Sequence, residues 1–183
     1  MSDNGFLLGE HGLIDKSHAY EQSMRIPMLV YAPGYVPAGS VVNQLVRNID
    51  IAPTILELAR VRSPEKMDGR SVLAALRGEP VSLNGEMLYE YYWEYAFPHT
   101  PTTLALRDDR YKFIYYPGVW DLQELYDLQS DPKERHNLIA MPEHKSRIEA
   151  MRKRLWDILE SAGGMSVPLR RGSFQAIDRK KDK

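Results

Sequence analysis

The chain has 183 residues, 43% of them hydrophobic and 27% charged, which is ordinary globular material for one domain or a domain and a half and not a disordered tail. With 24 Lys and Arg against 25 Asp and Glu the formal charge is −1, so no basic field draws nucleic acid or an anionic membrane, and neither partner is expected. Cysteine is absent, which removes disulfides, thiolate metal sites and a cysteine nucleophile together, and no apolar run approaches the ~18 residues of a membrane span.

In chain order, Asp3-Asn4-Gly5 reads as the tight turn at the end of a strand, although only Met1 and Ser2 precede it. The start also lacks the basic-then-apolar order of a signal peptide. Ile26–Ala32 is a short apolar run closed by Pro33-Gly34 and reads as a buried strand. Between 40 and 60 the apolar period becomes helical, with Asp50 as N-cap and Pro53 in the first turn. A short helix is next, over Ser71–Leu76, ended by Gly78.

Composition shifts near residue 80 toward aromatic, strand-forming text. Strands are predicted over Met87–Trp93, Thr103–Arg107, Tyr111–Tyr116 and Glu124–Leu128, and the polar turn at 108–110 makes the second and third a hairpin. The Tyr and Trp residues of 89–95 belong to the sheet. A helix over 143–161 carries an apolar stripe at Ile148, Met151, Leu155, Ile158 and Ala162, is stopped by Gly163-Gly164, and should pack on the antiparallel sheet. The basic remainder is a strap or loose tail.

Asp3 and Asn4 offer adjacent hard oxygen donors, the kind that Ca²⁺ or Mg²⁺ takes, though the triplet on its own reads far more readily as a turn without metal. The order of motifs beyond the triplet is more specific. Leu8-Gly9-Glu10-His11-Gly12, Lys16, Tyr20-Glu21, Arg25-Ile26-Pro27 and Tyr31-Ala32-Pro33-Gly34 come in turn, then Asn48–Leu56 with Met67–Ser71, then Glu124–Leu128 with Asp131-Pro132 and Asn137-Leu138. From Ser2 to roughly Gly164 this resembles the type I sulfatases of the alkaline phosphatase-like superfamily, in their C-terminal portion only.

The resemblance implies an α/β fold, the C-terminal part of the alkaline phosphatase-like sulfatase fold, with a small antiparallel sheet and a packed C-terminal helix. Residues 1–80 would close the catalytic α/β domain, 81–164 would form the C-terminal subdomain, and 165–183 would be a basic tail. Asp3 and Asn4 would be two ligands of an active-site Ca²⁺, and Lys16 would reach the substrate sulfate, where a divalent ion and a fixed ammonium stabilise developing negative charge. The alternative for Lys16 is a solvated surface cation. His11 would contact substrate or be held by the Gly-rich loop. His99, between two prolines in a loop leading to Arg107, would join Arg107 as a substrate contact, or the loop is a Pro-stiffened crossover. Tyr20, Glu21 and Arg25 are expected to shape the loop and pair with one another.

The departure from the family is the nucleophile. Sulfatases place a formylglycine in Cys/Ser-x-Pro-x-Arg near the N-terminus, ahead of these ligands; here cysteine is absent, and the string Ser166-Val167-Pro168-Leu169-Arg170 comes after the C-terminal helix, where the family places no nucleophile. The expectation is therefore a chain that is inactive alone, whose partners are a sulfated small molecule or glycan and a missing N-terminal half bearing the formylglycine, in an extracytoplasmic setting. The alternatives are a non-catalytic assembly module derived from a sulfatase, and a phosphodiester or phosphonate hydrolase on the same scaffold.

Overall fold

The computed structural model describes residues 2–83 and 85–167. The expected tail therefore lies largely outside the described residues, which end at Val167. The chain forms two compact units, one of Pro27–Met87 and one in which Ser2–Ile26 joins the residues from Leu88 onward. This differs from a cut near residue 80 with everything before it in one domain, because Ser2–Ile26 packs with the sheet.

The larger unit is built on a four-stranded sheet of β3 (Met87–Tyr91), β4 (Thr103–Arg107), β5 (Tyr111–Tyr116) and β6 (Leu122–Asp127), in that order. The predicted hairpin is present: β4 and β5 are antiparallel with Arg107 opposite Lys112 and Leu106 opposite Phe113, and β5 and β6 are antiparallel with Lys112 opposite Tyr126. Helix α4 (Lys145–Ala162) ends at Gly163, whose φ of 75° is the left-handed cap a side chain would resist.

Strand alternation divides these residues between two faces. Leu104, Leu106, Tyr111, Phe113 and Leu125 point toward α4 and meet Ile148, Met151, Leu155 and Leu159 in one buried cluster. The expected stripe is thus corrected at its end: Leu159 is buried where Ala162 is exposed, and Ile158 is only partly buried beside the cluster. A period of 3.6 places both 159 and 162 near the face of 155, and Ala162 is exposed because it is the last residue of the helix, directly before the Gly163 cap.

On the opposite face Ala105, Ile114 and Tyr126 pack with Leu7, Ala19 and Tyr20 of the N-terminal segment. That segment holds a two-stranded hairpin of β1 (Leu7–Leu8) and β2 (Ile14–Asp15), then the one-turn helix α1 (Glu21–Met24). Both faces of the sheet are therefore covered.

In the smaller unit, α2 (Ile51–Leu58) and α3 (Leu73–Leu76) appear near their predicted places, and Val72, Ala75 and Leu83 form a small core. Asp50 is not the side-chain cap of α2. Its buried carboxylate accepts hydrogen bonds from Arg47 (Nε at 3.2 Å, Nη2 at 2.9 Å, backbone N at 2.9 Å) and from the backbone of Arg70 at 3.0 Å. The apolar run ending at Ala32 forms no strand, and Leu29 and Tyr31 are 92% and 94% exposed. The described chain supplies no neighbouring strand to pair with it, and an unpaired run has no sheet hydrogen bonds to hold it extended. Among the described residues no helix is long and apolar enough to cross a membrane.

The α4–sheet core predicts a specific stability pattern. Leu155→Ala should destabilise the sheet unit by about 2–5 kcal/mol, because the site is fully buried among packed neighbours. Lys153→Ala, which removes an exposed pair with Asp157, should cost less than about 1 kcal/mol. Urea unfolding followed by circular dichroism measures both.

Candidate functional site

The predicted site residues in the N-terminal segment are held by its turns. Gly5 donates its N–H to the Ser23 carbonyl at 2.9 Å, and a Cβ there would collide with the carbonyl oxygen of Gln22, so only glycine lets the Asp3-Asn4 turn lie this close to α1. The Ser2 hydroxyl donates to the Asn4 carbonyl at 2.9 Å. Asp3 and Lys16, 13 residues apart in sequence, meet with 3.7 Å between Oδ2 and Nζ, at 79% and 49% exposure. The backbone N–H groups of Asn4 and Asp3 hold the Asp3 carboxyl below its ordinary value, with the Lys16 charge adding to them. Asp3 is therefore ionised at neutral pH.

His11 sits at the tip of the β1–β2 hairpin with φ of 55°, and its ring stacks on Tyr20 with centroids 3.8 Å apart and planes 8° from parallel. Tyr20 is itself fixed: its hydroxyl donates to Glu124 on β6 at 3.0 Å, and Tyr126 donates to the same carboxylate at 2.9 Å. Burial, reinforced by the Glu124 charge, pushes the Tyr20 phenol up to about 12, so it remains a donor. His11 is thus presented on a side-chain platform and not held by glycine backbone alone.

The remaining two predicted contacts are placed differently. His99 is exposed on the turn at 97–100, where the Thr100 N–H donates to the Phe97 carbonyl at 3.1 Å. Arg107 is drawn inward: its Nε donates to Glu21 Oε1 at 3.1 Å and its Nη1 to the Asp108 carbonyl at 3.1 Å. Glu21 also contacts Lys112 Nζ at 2.7 Å, and the same ammonium contacts Glu134 at 2.7 Å. Glu21 therefore pairs with Arg107 and Lys112, and not with Arg25 as the sequence suggested. Burial alone would raise both carboxyls; Lys112 and Arg107 outweigh it at Glu21, which is lowered, while Glu134 remains raised.

Sequence reasoning assigns no role to Lys112 and Glu134. The one signal for Lys112 is its position inside a strand between Tyr111 and Phe113, on the face opposite α4, which the N-terminal segment covers. Among the described residues no group of three or more His, Cys, Asp or Glu could hold a metal ion. Asp3 and Asn4 contribute one ionised carboxylate and one amide oxygen, of the right hardness for Ca²⁺ but far short of the 6–8 oxygens it takes.

A family model described as N-sulphoglucosamine sulphohydrolase, C-terminal, matches residues 9–161. The chain belongs to this sulfatase family. It is 34% identical over 163 residues to an N-acetylglucosamine-6-O-sulfatase of Bacteroides thetaiotaomicron, covering 87% of this chain and 28% of that protein. It is 28% identical over 197 residues to an ulvan-active sulfatase of Formosa agariphila, covering 89% and 39%. A solved structure of a protein in complex with its substrate D-glucosamine-2-N,6-O-disulfate superposes with a TM-score of 0.82 at 29% identity, over 91% of this chain and 34% of that one. The sulfatase chain thus spans roughly a third of the relatives it matches, and it has their alkaline phosphatase-like α/β fold with the small antiparallel sheet and C-terminal helix.

Gly5→Ala should test the turn that carries Asp3. The added methyl must push residues 2–5 away from α1, and loss of the local N–H bonds should raise the Asp3 carboxyl toward the ordinary aspartate value of about 3.9. NMR titration of the Asp3 carboxyl reads this directly; an unchanged midpoint would mean that the turn does not depend on Gly5.

Proposed function

We propose that the chain is the C-terminal portion of a sulfate-ester hydrolase acting on a sulfated sugar, and that it contributes two metal ligands and a sulfate-binding cation to a site completed by other residues. The carrying observation is the exposed pairing of the Lys16 ammonium with the ionised Asp3 carboxylate beside Asn4. Asp3 and Asn4 would hold part of a Ca²⁺ site, and the ion would polarise the sulfate oxygens. Lys16 would stand against the same sulfate as a second, fixed positive charge.

His11, on its Tyr20 platform, would face the leaving side of the substrate, and the exposed His99 would offer a further contact to the sugar. Arg107 is better suited to holding Glu21 than to meeting substrate, since two of its donor nitrogens are already engaged. The formylglycine nucleophile would come from the portion of the sulfatase domain that this chain does not span. Sulfated sugars are favoured over other esters because the Bacteroides and Formosa relatives and the solved complex carry glycan substrates in their names.

The complete protein, joined to its formylglycine-bearing portion and assayed on an aryl sulfate and on a 6-O-sulfated glucosamine, tests the reading. Asp3→Ala should abolish turnover, and Lys16→Ala should lower it by about 10²–10³-fold, the usual cost of one transition-state charge partner. The 183-residue chain alone should show no turnover above background and no stoichiometric Ca²⁺ binding by calorimetry. Tight Ca²⁺ binding by the chain alone, or an active Asp3→Ala enzyme, would mean that the ligands are wrongly assigned. Preference for a phosphonate monoester over both sulfates would move the substrate class.

A further inference from the structure

Lys112 is a charged side chain with no exposure at all, on a strand of aromatic and aliphatic neighbours. Its ammonium is met by two carboxylates that the sequence places far away on either side: Glu21, from the N-terminal segment, and Glu134, from the loop after β6, each at 2.7 Å. Arg107, its cross-strand neighbour, supplies the second cation through Glu21. The second oxygen of Glu134 accepts the backbone N–H of Glu21 at 2.6 Å. Residue 21 is therefore gripped by both its side chain and its main chain.

Two features make this more than a buried pair. Glu134 adopts φ of 54° while 1% exposed, a left-handed backbone that a non-glycine residue keeps only where its surroundings demand it. The cluster also replaces what an apolar side chain would do with less desolvation, so mere cohesion does not account for the charges.

We propose that Lys112, Glu134, Glu21 and Arg107 form a charge clamp through which the antiparallel sheet sets the position of the segment bearing Asp3, His11 and Lys16. These four are positioning residues. From the clamp, α1 begins at Glu21, and its Ser23 carbonyl holds Gly5 and with it the Asp3-Asn4 turn. The preceding residue, Tyr20, carries the His11 ring and is tied to Glu124 of the same sheet face. Lys16 comes directly after β2, whose partner strand is anchored by the fully buried Leu7. The inference rests on the sulfatase reading only for what the segment carries, not for how it is held.

The test is made on the full chain without substrate, so its failure leaves the sulfatase reading standing, and inactivity of the complete protein leaves the clamp standing. The double variant Lys112→Met with Glu134→Gln keeps the cluster neutral, since Arg107 and Glu21 still balance. Amide hydrogen exchange should then show protection over residues 5–25 falling about a hundredfold or more while β4, β5 and α4 keep theirs. In the same variant the His11 ring protons, shifted upfield by the Tyr20 stack in the parent chain, should move toward their free values, although neither substitution touches His11. Unchanged His11 shifts and unchanged 5–25 protection in a folded variant would overturn the proposal. Should the double variant lose protection throughout the sheet, Glu21→Gln, which leaves Lys112 paired with Glu134, decides it: selective loss over 5–25 supports the clamp, and uniform loss or none overturns it.

Discussion

An ammonium group sealed from water dictates much of this architecture. Lys112 has no solvent to stabilise its charge, and stripping an ion of water costs several kcal/mol unless carboxylates replace it at contact distance. The carboxylates come from residue 21 and residue 134, so the requirement of one side chain ties together segments separated by 113 positions. The N-terminal segment that leads to residue 21 must then lie over the second sheet face. Had Lys112 been at the rim, the N-terminal segment would have no electrostatic reason to lie on β5 at all.

The same constraint explains why the division into units does not follow chain order. Alternation along β4, β5 and β6 sends Leu104, Leu106, Phe113 and Leu125 to α4 and leaves Ala105, Lys112, Ile114 and Tyr126 on the other side. That second face is part apolar and part charged. It needs a cover offering both, and Leu7, Ala19 and Tyr20 with the adjacent Glu21 offer it. A plain apolar helix would have left Arg107 without the Glu21 carboxylate and Lys112 with Glu134 alone.

What the sequence revealed and what it hid divide along this line. Helix α4, the β4–β5 hairpin and the site turn were legible because their signals are local: a stripe of apolar residues, a polar turn at 108–110, a glycine after Asp3-Asn4. The Asp3–Lys16 ion pair was not foreseen: the family resemblance assigned the two residues separate roles, and the 12 residues between them give no spacing rule. Lys112 and Glu134 were hidden, because a lysine within a strand ordinarily signals a solvated face, and burial of that face depends on a segment remote in sequence. Asp50 misled for a related reason. Its residue type and place fit a helix cap, but a nearby arginine and the backbone of residue 70 compete for the carboxylate and win, since the guanidinium brings a full positive charge that the N–H groups of a helix start lack. The run at Met28–Tyr31 misled because apolar content implies a buried strand only where a neighbour is present to bury it.

Positioning and exclusion of water are separate requirements of the proposed chemistry, and they are met by different parts of the molecule. Electrostatic stabilisation of a sulfate in its transition state needs charges fixed in place beforehand, and it needs them away from bulk water, where each interaction is strongest. The proposed clamp and the Tyr20–Glu124 bond would serve the first requirement with groups that are buried or half-buried. Asp3 and Lys16 remain open to solvent at 79% and 49% exposure, a setting in which their mutual attraction is weak and easily screened. The weakness suits the proposed role. A strong, buried Asp3–Lys16 pair would have to be broken before the lysine could meet a sulfate and the carboxylate a cation, whereas an exposed pair at 3.7 Å would be readily exchanged for better partners in the completed site proposed above.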